Sequence, residues 1–562
     1  MPNQFVWVRE NRPVPEDRQG EPSPWPVELL NRHGLRELKP AEAVPDPRPD
    51  IGPLRSTVYR AATLLIPDRL FRQGAEATLQ KINEVLGDAF GDLVPPKRLT
   101  TIDLLVEPIH PYLDVLADLP RPAVLVAADD QPAPDAWVAL QRIRRAVLNG
   151  AFDQLPEAAA VAEISLEHAF FGAMYGPGPN GEPHTGGPKG VRDDVAVALR
   201  SGYGRRPVAF LGSPPERPEP RGGKRRPVVA VLDTGHGSCS WFGTTPQDKA
   251  LPADGFLRTF GVTQQLILAQ EQQVKNLIRT QVLMQDWEEP LYADGIGQVL
   301  ASATGHGSFI AGLIRQHAPG ADVVSIRVLQ PDNLGYESDI LLALYMLLAK
   351  LRTSRGNLGG DNTGLVDVIS LSLGYYAENT DEKDARITKV LRALSDEGVV
   401  TVAAAGNDAS ARPFLPAALA FPSREDWIGP ELVGCGALNP NGSVAWFSNT
   451  GPNASVLAIG ANVVSTFPDD VRGSFNPAGS GPDGREGMDP DDYSSGFATW
   501  SGTSFSAPIV AAEIANGLID TAEAKPRLSL DQLGQDVSVK RARKAVRRLR
   551  RSAARAKKAR RW

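Results

Sequence analysis

The 562-residue chain is 42 % hydrophobic and 22 % charged, has a net charge of −6, and holds only two cysteines, Cys239 and Cys435. That composition excludes a disordered chain and a disulfide-built scaffold. No stretch approaches the roughly 20 apolar residues of a membrane span. The opening MPNQFVWVRE lacks the basic start and apolar run of a secretory leader. A cytoplasmic location is expected, with both cysteines as buried thiols. The charge is unevenly placed: Lys540 to Arg561 carry thirteen Lys or Arg and no acid, leaving the rest of the chain strongly acidic. Such a basic tail suggests an anionic partner, as a cationic helix on nucleic acid or a membrane surface, or association with the chain's own body; a solvated, partly disordered tail is the plainer reading.

In chain order, residues 1–50 read as a Pro-rich, charged arm. A small α/β or α+β module is expected over 51–170. It has strands at Ser56–Leu65, Thr100–Val106 and Ala123–Ala128, and helices at Gly74–Phe90 and Ala136–Val147. Residues 171–226 contain GPGPNGEPHTGGPKG and SPPERPEPRGGKRRP. Pro removes backbone donors and Gly adds chain entropy, so these read as linkers. From Pro227 the style changes. Continuous apolar runs at PVVAVLDTG, Val323–Val328, Val366–Leu373, Val399–Ala405 and Leu432–Ala437 suit strands buried on both faces. Helical patterns at Glu337–Leu351 and Asp384–Asp396 lie between them. This alternation predicts an α/β domain with a doubly wound, mostly parallel sheet over 227–525, followed by the basic tail, 526–562.

Four short sequences carry the chemistry. VLDTG places Asp233 at the carboxyl end of a strand, and in GHGSFIAGLI His306 opens a helix. VAAAGN puts Asn407 just past a strand, and SGTSFSAP puts Ser504 before a helix. Taken singly, each has an ordinary structural explanation: a turn, a capping histidine, an N-cap serine. Together, in the order Asp, His, Ser, they do not. The chain resembles the subtilase family of serine peptidases over roughly 227–520, through Asp233-Thr234-Gly235, His306-Gly307-Ser308, Ser372-Leu373-Gly374, Ala405-Gly406-Asn407 and Gly502-Thr503-Ser504-Phe505-Ser506-Ala507-Pro508.

The resemblance implies a serine endopeptidase acting on polypeptides; no cofactor or metal is expected. A serine hydroxyl needs a base within hydrogen-bond reach, and His306 would serve, oriented by Asp233. The Ser504 N–H, at a helix start, and the Asn407 side chain would hold the oxyanion. Ser372, Leu373 and Gly374 would pair with substrate backbone, and Ala405 and Gly406 would line the pocket beside the scissile bond. Asp408 could favour a basic residue there, although a solvated loop carboxylate is the plainer reading. The rival readings are a non-catalytic interaction protein on the same scaffold and a protease attached to nucleic acid by its basic tail.

The departures from the family pattern are local. His306 is followed by Gly-Ser where Gly-Thr is common. The helix after it runs on without a long loop, which argues against the calcium site some relatives carry there. The long Asp233–His306 interval includes the Gln-rich Thr263–Met284, expected to roof the cleft or decorate the surface. Asp489, Asp491 and Asp492 lie in an insertion, Asp469–Trp500, read as an acidic loop rather than a cation site. The module before the peptidase domain is either a removable prodomain, with cleavage between about 172 and 226, or a permanent partner-binding domain.

Overall fold

The structure is a computed structural model that describes residues 5–8, 25–49, 51–87, 90, 92–95, 113–116, 118–126, 133–173, 204–209, 212–244, 254–278, 283, 285, 287–288, 300–356, 364–379, 386–420, 428–477 and 479–559. Its centre is an eight-stranded sheet. The strand order is Val6–Trp7, Val456–Ile459, Val433–Leu438, Val400–Ala404, Val368–Leu371, Val228–Asp233, Asp322–Arg327 and Leu257–Thr259. Seven of these strands run parallel, and only Val6–Trp7 is antiparallel. The continuous apolar runs follow from burial on both faces. Along one strand, Val229 and Val231 enter the core beneath helices His306–His317 and Thr503–Ala524. Val228, Ala230 and Leu232 enter the opposite core, beneath Gly261–Leu277, Glu337–Gly356 and Arg386–Asp396.

A second sheet spans both parts of the chain. Strands Leu35–Leu38, Thr57–Pro67, Pro120–Val126, Asp92–Val94 and Ser165–Gly172 form an antiparallel module. Helices Glu76–Leu86 and Ala136–Leu148 share its core. The edge strand Ser165–Gly172 then pairs with Leu334–Tyr336 and Leu373–Gly374 of the large domain. The strand expected at Thr100–Val106 lies outside the described residues.

Three features differ from the sequence reading. The arm is partly structured: Val6–Trp7 caps the edge of the main sheet, and Leu35–Leu38 pairs with Thr57–Pro67. Segments this short are set by their partners rather than by their own periodicity. The Gln-rich helix Gly261–Leu277 neither roofs the cleft nor decorates the surface. It packs on the sheet flank, where Gln264 bonds both backbone groups of Arg327 and Glu271 pairs with Arg60 of the module. The basic tail is a helix, Gln535–Ala559, that buries Val539, Ala542, Val546 and Leu549. Its Arg541 approaches Asp367, while Arg548 and Arg550 pair with Asp520 and Glu431. Of the two partners open to the tail, the body takes these cations.

Cys239 and Cys435 are buried and unbonded. Burial pushes both thiols up, Cys239 to about 12. No helix among the described residues is long and apolar enough to cross a membrane.

Candidate active site

The strand Val228–Asp233 delivers Asp233 to the carboxyl edge of the sheet, where ligands gather in open α/β folds. Its Oδ1 accepts the Thr234 N–H at 2.8 Å and lies 2.7 Å from His306 Nδ1. The two loops fit because residue 307 is glycine: a Cβ there would stand 2.0 Å from the Gly235 carbonyl oxygen. Both side chains are buried. The His306 ring rests against Trp500 and Phe505, at centroid distances of 5.6 and 5.3 Å. Its Nε2 is buried without a hydrogen-bond partner.

Ser504 opens the helix Thr503–Ala524. Its hydroxyl donates to the Ser372 carbonyl at 3.1 Å, and the Ser372 hydroxyl donates to the Ser504 carbonyl at 2.8 Å. Asn407 follows the strand Val400–Ala404. Its Oδ1 accepts from the backbone N–H and the hydroxyl of Thr503, at 3.0 and 2.9 Å. Those bonds fix the amide's orientation and leave its buried Nδ2 without a partner. An aimed, unsatisfied amide donor is costly in a core and useful beside a developing anion. Ala405 and Gly406 precede it. Asn449 holds the Ala405 carbonyl at 2.9 Å, and the Thr503 hydroxyl accepts the Gly406 N–H at 3.1 Å. Asp408 is half-buried and accepts the Tyr376 hydroxyl at 2.7 Å.

A peptide segment already lies in this groove. Leu373 is paired with Gly172 and Gly374 with Phe171. The Ala173 N–H donates to the Ser372 carbonyl at 2.7 Å, and the Ala173 carbonyl accepts the Ser504 N–H at 2.8 Å. Asp233, His306, Ser504, Asn407, Ser372, Leu373, Gly374, Ala405 and Gly406 thus all come to one edge of the sheet. The Ser504 hydroxyl is turned toward Ser372 rather than bonded to His306.

The chain from residue 224 to 544, more than half its length, matches the family model described as "Subtilase family". The chain belongs to the subtilase family. It is 29 % identical over 181 residues to subtilisin DY of Bacillus licheniformis, covering 31 % of this chain and 57 % of that protein. It is 28 % identical over 180 residues to subtilisin E of Bacillus subtilis (strain 168), covering 30 % and 41 %. It is 29 % identical over 170 residues to subtilisin-like proteinase Mp1 of Magnaporthiopsis poae, covering 29 % and 37 %. The chain therefore spans between about a third and three fifths of these relatives' length.

Two residues of this subtilase site escaped the sequence reading. Glu288 is buried behind the Asp233–His306 pair. It accepts from the Thr234 hydroxyl at 2.6 Å, the Gly305 N–H at 2.9 Å and the Ser308 hydroxyl at 3.1 Å. Burial pushes its carboxyl up to about 7. It stands within the long Asp233–His306 interval, where an acid beside Trp287 was the only signal. Asn333, in the turn before Leu334–Tyr336, touches Gly172 with its side chain and its backbone.

Asp489 Oδ1 accepts the N–H groups of Asp491 and Asp492, both at 3.1 Å. Burial raises the Asp491 carboxyl to about 6. Among the described residues no group of three or more His, Cys, Asp or Glu is placed to hold a metal ion.

Proposed function

We propose that this subtilase is a serine endopeptidase held in check by its own N-terminal module. Ser504 is the nucleophile, His306 the base, Asp233 the group that orients it, and Asn407 with the Ser504 N–H the oxyanion hole. The observation that carries the proposal is the seating of Ala173. Its amide and carbonyl hydrogen-bond on either side of Ser504, as the residue before a scissile bond must. The bond to be cut is then Ala173–Met174.

For reaction, the Ser504 hydroxyl leaves the Ser372 carbonyl by rotation about its Cα–Cβ bond and turns to His306 Nε2. The imidazole takes its proton as Oγ bonds to the carbonyl carbon. The oxygen so charged is met by the Ser504 N–H and Asn407 Nδ2. His306 returns the proton to the departing amine as the C–N bond breaks. Water, deprotonated by the same ring, then releases the acid and restores Ser504. Asp233 fixes which ring nitrogen carries the proton.

In domain terms, residues 1–50 and the module at 51–170 form the inhibitory part, its last strand reaching Ala173. Residues 171–226 are the processing region, 227–525 the peptidase domain, and 526–562 a tail whose helix braces that domain. The unbonded, buried cysteines support a reducing, intracellular setting. With Arg541, Arg548 and Arg550 engaged by the body, no anionic partner is assigned to the tail.

Intact mass of the purified chain beside Ser504→Ala tests the proposal, together with labelling by a fluorophosphonate. A cut after Ala173 and labelling at Ser504, both absent from the variant, are expected. A chain that is never labelled and never cut would favour a non-catalytic role for the scaffold.

A further inference from the structure

The segment in the groove shows which side chains the groove accepts. Along Phe170-Phe171-Gly172-Ala173, alternate residues face opposite ways. Phe171 stacks on Trp25 of the N-terminal arm at 3.5 Å. Phe170 and Gly172 face the peptidase domain. Phe170 is fully buried in the cluster that holds Leu373, Tyr375 and Leu415, with its ring 4.5 Å from that of Tyr375. An aromatic pocket therefore lies four residues before the bond to be cut.

Gly172 meets a different surface. A Cβ at this position would stand 2.3 Å from Asn333 Oδ1 and 3.3 Å from Leu329 Cδ1. Asn333 is poorly placed to yield. Its backbone φ is +79°, its N–H donates to the Gln330 carbonyl at 3.0 Å, and the Gln330 N–H returns a bond to Leu334 at 2.7 Å. Its Nδ2 donates to the Gly172 carbonyl at 3.1 Å, and its own carbonyl accepts the Gly172 N–H at 3.3 Å. Swinging the side chain away would forfeit the bond to the carbonyl that it is there to hold.

We infer that Asn333 makes this subtilase selective for polypeptides with glycine two residues before the cleaved bond. The inference rests on the peptidase proposal and deepens it. Gly172 supplies that residue, so the module blocks the groove as a matched sequence.

Fluorophosphonate labelling of Ser504 in the full-length chain reads the gate directly, because the module's strand must vacate the groove. Gly172→Ala is expected to speed labelling by about 10- to 100-fold, the range for forcing a methyl into a packed site. Adding Asn333→Gly, which keeps the backbone conformation but deletes both the clash and the Nδ2 bond, should slow labelling again, to a rate between those of the single variant and the wild type. A second readout uses the Gly172→Ala chain as enzyme on two internally quenched peptides. One contains Phe-Phe-Gly-Ala-Met-Tyr and the other Phe-Phe-Ala-Ala-Met-Tyr, and kcat/KM should favour the first by about tenfold or more. Unchanged labelling in Gly172→Ala, a double variant as fast as the single one, or equal hydrolysis of the two peptides would each overturn the gate while leaving the peptidase proposal standing. Absence of labelling in every variant would overturn the peptidase proposal itself.

Discussion

The Ala173 carbonyl accepts a hydrogen bond from the Ser504 N–H at 2.8 Å, although 331 residues separate them in the chain. A module that looked separable by composition is therefore joined to the large domain at the point where the chemistry is placed. The same contact makes the site's other donor testable. Asn407 Nδ2 is buried and unpartnered, as the proposed oxyanion hole requires. Asn407→Ala should lower kcat by about 10²–10³ with little change in KM, as loss of one such donor does. Steady-state kinetics on a quenched peptide would show it, and an equal fall in kcat and rise in KM would point to a binding role instead.

Glu288 ties the Asp233 loop to the His306 helix through Thr234, Gly305 and Ser308. Its carboxyl is pushed up to about 7 by burial, so the folded chain favours the protonated acid. That contribution to stability is complete below the ordinary glutamate range and is lost as pH rises through about 7. The wild type should melt lower at pH 8 than at pH 5, and Glu288→Gln, which has no such proton to lose, should narrow that difference. Glu288→Ala should also cost on the order of 10–10² in kcat through misplacement of His306. A melting difference between the two pH values that is the same in wild type and Glu288→Gln would contradict this account.

His168 sits on the module's last strand between Glu337 and Glu378, at 2.7 and 2.8 Å. Burial alone would lower its pKa, but the two carboxylates raise it to about 10. Docking of the module is accordingly favoured while His168 is protonated in both states. It weakens as pH rises from the ordinary histidine range through about 10. Glu271 and Asp339, raised by burial at the same interface, act in the same direction. Proteolytic sensitivity of the module should increase with pH in the wild type. In His168→Gln the module should be loose already at pH 6.

Asp367 is buried, accepts hydrogen bonds from Arg225 Nη1 and Nη2 at 2.7 and 2.8 Å, and lies near Arg541 of the C-terminal helix. Burial would raise its carboxyl, but Arg225 holds it down at about 2. Its stabilising effect is therefore present above the ordinary aspartate range and disappears as pH falls toward 2. Asp367→Asn leaves two buried cations without their carboxylate. It should cost roughly 3–5 kcal/mol, read from a denaturant midpoint at neutral pH. A shift below 1 kcal/mol would show that the tail helix is anchored by its apolar face alone.

The parallel sheet and the strand ends bearing Asp233 and Asn407 were legible in the chain. So were the helix starts at His306 and Ser504, because burial on both faces demands long apolar runs and the turns demand Gly beside the reactive side chains. The course of residues 1–50 and the reach of the last module strand to Ala173 were not. Strands of two to eight residues are chosen by the edge they pair with, and that edge lies hundreds of residues away. Glu288 and Asn333 were equally silent. A lone acid or a turn asparagine acquires meaning only when folding removes water from one and sets the other against Gly172. The tail shows the same division. Its charge was countable residue by residue, but whether its arginines faced solvent or Asp367, Asp520 and Glu431 depended on the docking of one amphipathic helix, a tertiary event driven by Val539, Val546 and Leu549.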